Sequence, residues 1–350
     1  MAKQLPVSIL SFESPHRHSA RQERYTSHAG RVRTIRLFLG GYMEILAVCP
    51  ANCMTGGPEA IHTLVSEMNQ LEDVRARIWY WDVQSMDPCP EEYKAYHCEY
   101  VTEVAPDFQG VVIVPEIWAN RVLDLPGKLK AVWWLGVDAY ANWTPGPEQG
   151  AFLQDNTIIH MTQSQYAYKF LESLGVQRLI MCGDTVNKDF YEDYEETERA
   201  DTVLYNPAKS NLFMRRLLNE CKDIIFKPIT GMTRRQVIDT MRGSKLYIDF
   251  GDFPGRERMP REAVLCGCCI ITGKVGSAGH DMDFPHRYKF ESKDSHLWAI
   301  RRKIRYVLAH YEECRGHFYY FRRCLQYDRE LMKNQIREVA DAFQYYHSSL

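Results

Sequence analysis

The segment from Leu246 to Ala278, LYIDFGDFPGRERMPREAVLCGCCIITGKVGSA, limits the fold more sharply than any other stretch of the chain. It reads as a buried strand (Leu246–Phe250), a Gly/Pro loop carrying Arg256, Arg258 and Arg261, and a short helix opening at Pro260. A second buried strand (Cys268–Thr272) and a loop of small residues follow. Nearly continuous apolar strands linked through a helix belong to a parallel sheet covered on both faces. At the carboxyl ends of such strands, free helix N–H groups and neighbouring cations converge on an anion. The segment therefore predicts an anion site, with a nucleotide as the first ligand to consider.

The same alternation runs along most of the chain. Candidate strands precede it at Glu44–Cys49, Ala76–Val83, Val111–Glu116, Ala131–Val137, Thr157–Met161 and Arg178–Cys182, separated by helices or loops. Between Asp184 and Asp201 the run DTVNKDFYEDYEETERAD is crowded with carboxylates and lacks apolar periodicity, so it reads as a solvated linker between two domains. Strands Thr202–Tyr205 and Asp223–Pro228 and helices Leu212–Cys221 and Thr233–Arg242 then restart the pattern. Thr233 and Gln236 form a capping box, and Gly243 is the stop. After about Asp294 the periodicity is helical to the end. The expected fold class is α/β, two tandem Rossmann-like doubly wound domains facing a cleft, with C-terminal helices. The expected limits are an N-terminal extension over residues 1–42, read as disordered, then domains over 43–185 and 186–330. A last helix over 331–350 would reach back to the first domain.

Bulk chemistry narrows the function. The 350 residues are 45% apolar and 25% charged with a net charge of −2, so no pronounced basic surface invites nucleic acid. No apolar run approaches the roughly 20 residues of a membrane span. The eleven cysteines show no Cys/His ligand spacing, and Cys266, Cys268 and Cys269 sit inside an apolar helix-to-strand run; they read as small buried hydrophobes in a reducing compartment. A cytoplasmic location follows, with peripheral association at the inner membrane face left open. Residues 1–42 hold only Glu13 and Glu23 as acids, which superficially suits a transit peptide. His280, Asp281 and Asp283 fit no standard metal site, and neither a metal nor a cofactor is expected.

Two glycine-containing turns carry candidate ligand contacts. After the first strand, Gly56 and Gly57 in GGPE permit close backbone approach ahead of a helix, as an acceptor or phosphate loop. The turn lacks GxGxxG spacing, and the chain has no GxxxxGK[ST] run, which argues against dinucleotide and P-loop readings. In the second half, Asn206 and Lys209 follow the strand Thr202–Tyr205. They share a sheet edge with Gly255, Arg256, Arg258, Arg261 and Glu262, a set able to hold a diphosphate through charge-assisted hydrogen bonds. Glu116, Asp138 and His160 sit at first-half strand ends facing the expected cleft. A carboxylate there would activate a hydroxyl or stabilise an oxocarbenium-like transition state, which makes Asp138 and Glu116 the catalytic candidates.

Tandem doubly wound domains, the GGPE turn, the NP-K segment and PREAVLCGCCIITGKVGSA together resemble GT-B-fold glycosyltransferases, nearest to the family-4-like enzymes of bacterial surface polysaccharides. The resemblance covers roughly residues 43–290. It implies transfer of a sugar from a nucleotide-sugar donor in the second domain to a glycan or lipid-linked acceptor in the first, without a catalytic metal. It also implies that Glu262, in REAVLCG, touches the donor ribose. The family's other glutamate falls at Pro254, so the usual contact to the donor sugar is absent or replaced. A GT-B sugar-nucleotide epimerase and a non-catalytic nucleotide-binding module are the rival readings.

Overall fold

The computed structural model describes residues 42–143, 147–196 and 198–350, so the expectation for residues 1–41 lies outside it. The chain builds two parallel sheets. The first contains β1 (Met43–Pro50), β2 (Val74–Trp81), β3 (Tyr100–Val101), β4 (Val111–Pro115), β5 (Leu129–Trp134), β6 (Ile158–Thr162) and β7 (Leu179–Met181), in the order β3-β2-β1-β4-β5-β6-β7. Successive side chains of a strand point to opposite faces. Ile45, Ala47 and Cys49 of β1 accordingly enter one core, and Leu46 and Val48 enter another. Both faces are therefore buried, which is why the strands read as continuous apolar runs. Helices α1 (Gly56–Met68), α2 (Val137–Trp143) and α3 (Gln165–Ser173) belong to this half.

The second sheet contains β8 (Ala200–Tyr205), β9 (Ile225–Pro228), β10 (Ser244–Asp249), β11 (Cys269–Gly273) and β12 (Lys289–Phe290), in the order β12-β11-β10-β8-β9. Its helices are α4 (Leu212–Glu220), α5 (Arg234–Arg242), α6 (Arg258–Leu265), α7 (Leu297–Ala309) and α8 (Tyr311–Gly316). Thr233 and Gln236 make the reciprocal capping box at the start of α5. Helix α6 begins at Arg258, two residues ahead of the Pro260 start read from the sequence, with Glu257 at its N-cap.

The last helix, α9 (Tyr319–Ser349), starts before residue 331 and ties the halves together. Phe321 and Leu325 enter the second sheet's core, while Met332, Ile336, Val339, Ala340 and Phe343 enter the core beneath the first. At roughly 1.5–3 kcal/mol for each large apolar side chain, detaching the first end would cost about 3–6 kcal/mol and the second end more. Relative motion of the halves must keep both ends of α9 seated.

The segment after β7 departs from expectation. Asp184, Thr185, Asn187 and Phe190 are buried rather than solvated. Asp184 is neutralised by arginines of the second half, and this lets a carboxylate sit where the sequence suggested an open linker. The described cysteines are all free thiols, and seven of the eleven are buried.

Candidate functional site

In an open parallel sheet, ligands collect where neighbouring strands send their connections in opposite directions. In the first sheet that point lies between β1 and β4, whose C-terminal ends lead to Gly56–Gly57 and to Glu116. In the second it lies between β8 and β10, which lead to Asn206–Lys209 and to the loop Gly251–Glu257. Glu116, Gly56 and Gly57 thus lie at the first switch point and Asn206, Lys209 and Gly255–Glu262 follow the strands of the second, while Asp138 follows β5; the two groups meet along a polar seam.

Glu59, in the first turn of α1, is the centre of that seam. Its buried carboxylate pairs with Arg258 of α6 and lies 3.1 Å from Arg234 of α5. It also accepts hydrogen bonds from Asn187 and Tyr96, each at 2.8 Å. Burial works to raise its pKa, but Arg258, Asn187 and Arg234 outweigh it, and the carboxyl is held below its ordinary range. Gly56 lets Arg258 come close: a Cβ would stand a tight 3.2 Å from Arg258 Cδ. Gly57 has more room, 3.8 Å from Leu135 Cδ1. The GGPE turn thus grips an arginine of the other half.

The arginines of the 254–261 segment have separate fates. Arg261 is fully buried, 2.8 and 2.9 Å from the two carboxylate oxygens of Asp184, and also donates to the Arg256 carbonyl at 2.6 Å. It therefore braces the loop. Arg256 pairs with Asp328 of α9 at 2.9 Å, and its backbone N–H donates to Gln163 Oε1 at 2.9 Å. Arg258, besides Glu59, donates to the Thr185 carbonyl at 2.8 Å, and its buried Nε lies 3.6 Å from Asp184 Oδ2 without a hydrogen bond. Gly255 packs so closely on the first half that a Cβ would fall 1.8 Å from the Leu135 carbonyl oxygen.

Beside this seam lie Glu262, Asp249, Lys209 and Asn206. Glu262 is half-buried one turn into α6; burial pushes its carboxyl up to about 7, Arg258 opposing and Glu59 adding to the rise. Asp249, at the end of β10, is pushed by burial up to about 6 although it accepts the Gly251 N–H at 2.9 Å. Lys209 pairs with Glu257 at the N-cap of α6. The Asn206 side chain accepts the Ala208 N–H at 3.0 Å and so shapes the loop that presents Lys209.

Glu116 is buried directly after β4 and accepts the Leu135 N–H at 3.0 Å. Burial pushes it up to about 7 against the pull of the backbone N–H groups. A Cβ placed on Gly136 would lie 3.4 Å from Glu116 Oε1 and 3.3 Å from Pro254 Cβ. Gly136 thus borders both Glu116 and Pro254, the position where the family-4-like pattern expects a glutamate. Asp138 is placed differently: its carboxylate accepts the Tyr166 hydroxyl at 2.6 Å, and Tyr166 stacks near His280, with ring centroids 5.2 Å apart. His160 belongs to the core between Trp134 and Phe152, where burial lowers its pKa to about 4.

Asp283 accepts the Gln165 and Tyr166 N–H groups at the start of α3, and Asp281 pairs with Lys289. Among the described residues no cluster of His, Cys, Asp or Glu is arranged to hold a metal, and no helix is long and apolar enough to cross a membrane.

Glu59, Arg234, Gln163 and Asp184 were not singled out from the sequence. Glu59 stands inside the GGPE turn, and Arg234 directly follows the Thr233 cap. Neither position betrays a partner more than 170 residues away.

No protein-family model matches the chain, and no curated protein shows a significant match. Solved structures do. A glycosyltransferase from Rickettsia africae superimposes with a TM-score of 0.64 over 88% of this chain and 99% of its own, at 10% identity. HepE from Anabaena, solved in complex with UDP-glucose, gives 0.61 over 86% and 100%, at 10% identity. Sucrose-phosphate synthase from Thermosynechococcus elongatus gives 0.58 over 88% and 100%, at 11% identity. The two parallel sheets of seven and five strands, with their helices, match these structures, which have the GT-B fold.

Proposed function

We propose that the protein is a glycosyltransferase that takes a sugar from a nucleotide-sugar donor held over the second sheet and passes it to a glycan acceptor. The observation that carries this reading is the β8/β10 switch point. There Lys209, the start of α6 and the half-buried Glu262 surround one sheet edge beside Arg258. Lys209 and Arg258 supply charge for a diphosphate, and Glu262 supplies an acceptor for ribose hydroxyls. The binding of UDP-glucose by HepE, a protein of the same fold, supports a donor of that class.

Glu116 is the proposed catalytic carboxyl. It sits across from Pro254, and a carboxyl whose pKa lies near 7 is matched to taking a proton from an acceptor hydroxyl near neutral pH. As the hydroxyl oxygen attacks the anomeric carbon, its proton passes to Glu116 while the nucleoside diphosphate leaves with the bonding pair. Arg258 and Lys209 offset the charge on the leaving group. Asp138, held by Tyr166, orients that side of the cleft. Metal independence, a role in surface polysaccharide synthesis, a lipid-linked acceptor and residence at the inner membrane face belong to this same proposal. So do the domain limits near residues 185 and 330.

The test is release of nucleoside diphosphate from a panel of sugar nucleotides, with and without oligosaccharide acceptors. Acceptor-dependent release that Glu116→Gln abolishes supports the reading. Conversion of a sugar nucleotide with no acceptor present would favour an epimerase instead.

A further inference from the structure

A cavity of about 290 Å³ opens between the ends of β6 and β7, the loop 281–285 and α9. Its floor is polar: Gln163, Asp184, Asp283 and Asp328 are buried, and Arg256 reaches in from the 254–258 loop. Arg256 pairs there with Asp328 at 2.9 Å.

The wall is of another kind. Met282, Tyr320 and Tyr327 are 80%, 68% and 58% exposed, and Leu331 continues the same face of α9. Phe321, Leu325 and Met332 take the inward positions of that helix, so these outward aromatics serve no core. An exposed apolar stripe beside a satisfied core marks a binding surface.

We propose that this cavity binds a neutral or amino-bearing saccharide. Pyranose rings present an apolar C–H face, which suits tyrosine rings, and a girdle of hydroxyls, which suits buried carboxylates, an amide and a guanidinium. Charge decides the class. The cations around it are already committed, Arg256 to Asp328, Arg258 and Arg261 to Asp184 and Lys289 to Asp281, while Asp283 is held by backbone N–H groups, so a phosphate or uronate finds no free positive charge. An ammonium or a plain hydroxyl needs none. The cavity adjoins the seam, because Gln163 lines it while accepting the Arg256 N–H beside Gly255. Leu135, against which Gly255 packs, donates its N–H to Glu116. The bound saccharide would thus lie a few contacts from the proposed catalytic carboxyl. Its role as acceptor subsite rests on the glycosyl-transfer reading, but its binding does not.

The experiment uses the full chain on an immobilised array of neutral, amino-bearing and uronate-containing oligosaccharides, beside a Tyr320→Ala/Tyr327→Ala double variant. Both tyrosines are exposed, so the variant should melt with the wild type. The expected result is binding confined to neutral or amino-bearing glycans, weakened at least tenfold in the variant. Binding only of uronates, binding of none, or equal binding by the variant would each overturn the proposal. A nucleoside diphosphate titration alongside keeps it separate from the donor reading, which is tested by nucleotide binding and not by glycan binding.

Discussion

Replacing Glu116 by glutamine should make the folded protein more stable at alkaline pH and catalytically dead. The carboxyl is ordinary in the unfolded chain, with a pKa near 4.3, and is pushed up by burial to about 7 in the fold. Between those values the folded state binds more protons than the unfolded one, so the group lowers stability progressively as pH rises and has its full effect above about 7. At 1.36 kcal/mol per unit, a difference of two to three units corresponds to about 3 kcal/mol. Glutamine removes the charge but offers one oxygen where the carboxylate offers two. Oε2 accepts the Leu135 N–H at 3.0 Å, and the backbone N–H groups of Glu116 and Gly136 also favour the anion. Losing one such bond costs about 1 kcal/mol, leaving a net gain near 2 kcal/mol. Urea unfolding at pH 8.5 and pH 4 would measure it. The account expects the variant to exceed the wild type by about 2 kcal/mol at pH 8.5 and to match or trail it at pH 4. A variant less stable at both pH values would refute the reasoning, because Glu116 would then be a satisfied structural anion.

Asp184→Asn should lose about 3–5 kcal/mol, since it strands the fully buried Arg261. Asp184→Asn/Arg261→Met should be less damaged than the single variant, read as coupling in a thermal double-mutant cycle. Asp184 is held below its ordinary range because Arg261 and Arg258 overcome the effect of burial. Its stabilisation is therefore complete above about pH 4 and is lost as pH falls through the lower, folded-state value, which an acid titration of the melting temperature would display. Gly255→Ala should break the seam, because the new methyl would stand 1.8 Å from the Leu135 carbonyl oxygen. The expected readout is a lowered melting temperature together with faster amide exchange at 135–136 and 254–256.

Much of the fold was readable because parallel strands buried on both faces leave continuous apolar runs, as in β1, β4 and β11. The edge strands β3 and β12 escaped notice because two residues carry no periodicity. At the site, residue types and sheet edge were legible, since strand–loop–helix order alone places Lys209, Arg258 and Glu262 at strand carboxyl ends. Which carboxylate each arginine meets was not. Arg261 and Arg258 are three residues apart on one helix, yet one is enclosed by Asp184, 77 residues away, and the other reaches Glu59, 199 residues away. The acidic run after β7 misled for the same reason, because a carboxylate reads as solvated until its buried partner is known.

The central claim is that the β8/β10 switch point holds a nucleoside diphosphate. Thermal shift with UDP, GDP, ADP and CMP, and with their sugar conjugates, tests it most directly. A ligand at about 100 times its Kd adds roughly 2.7 kcal/mol, or about 5 °C for a chain of this size. The account predicts such a shift for at least one nucleoside diphosphate, reduced at least tenfold in affinity by Lys209→Ala and by Glu262→Ala. No shift with any nucleotide, or a shift that both variants leave intact, would contradict it.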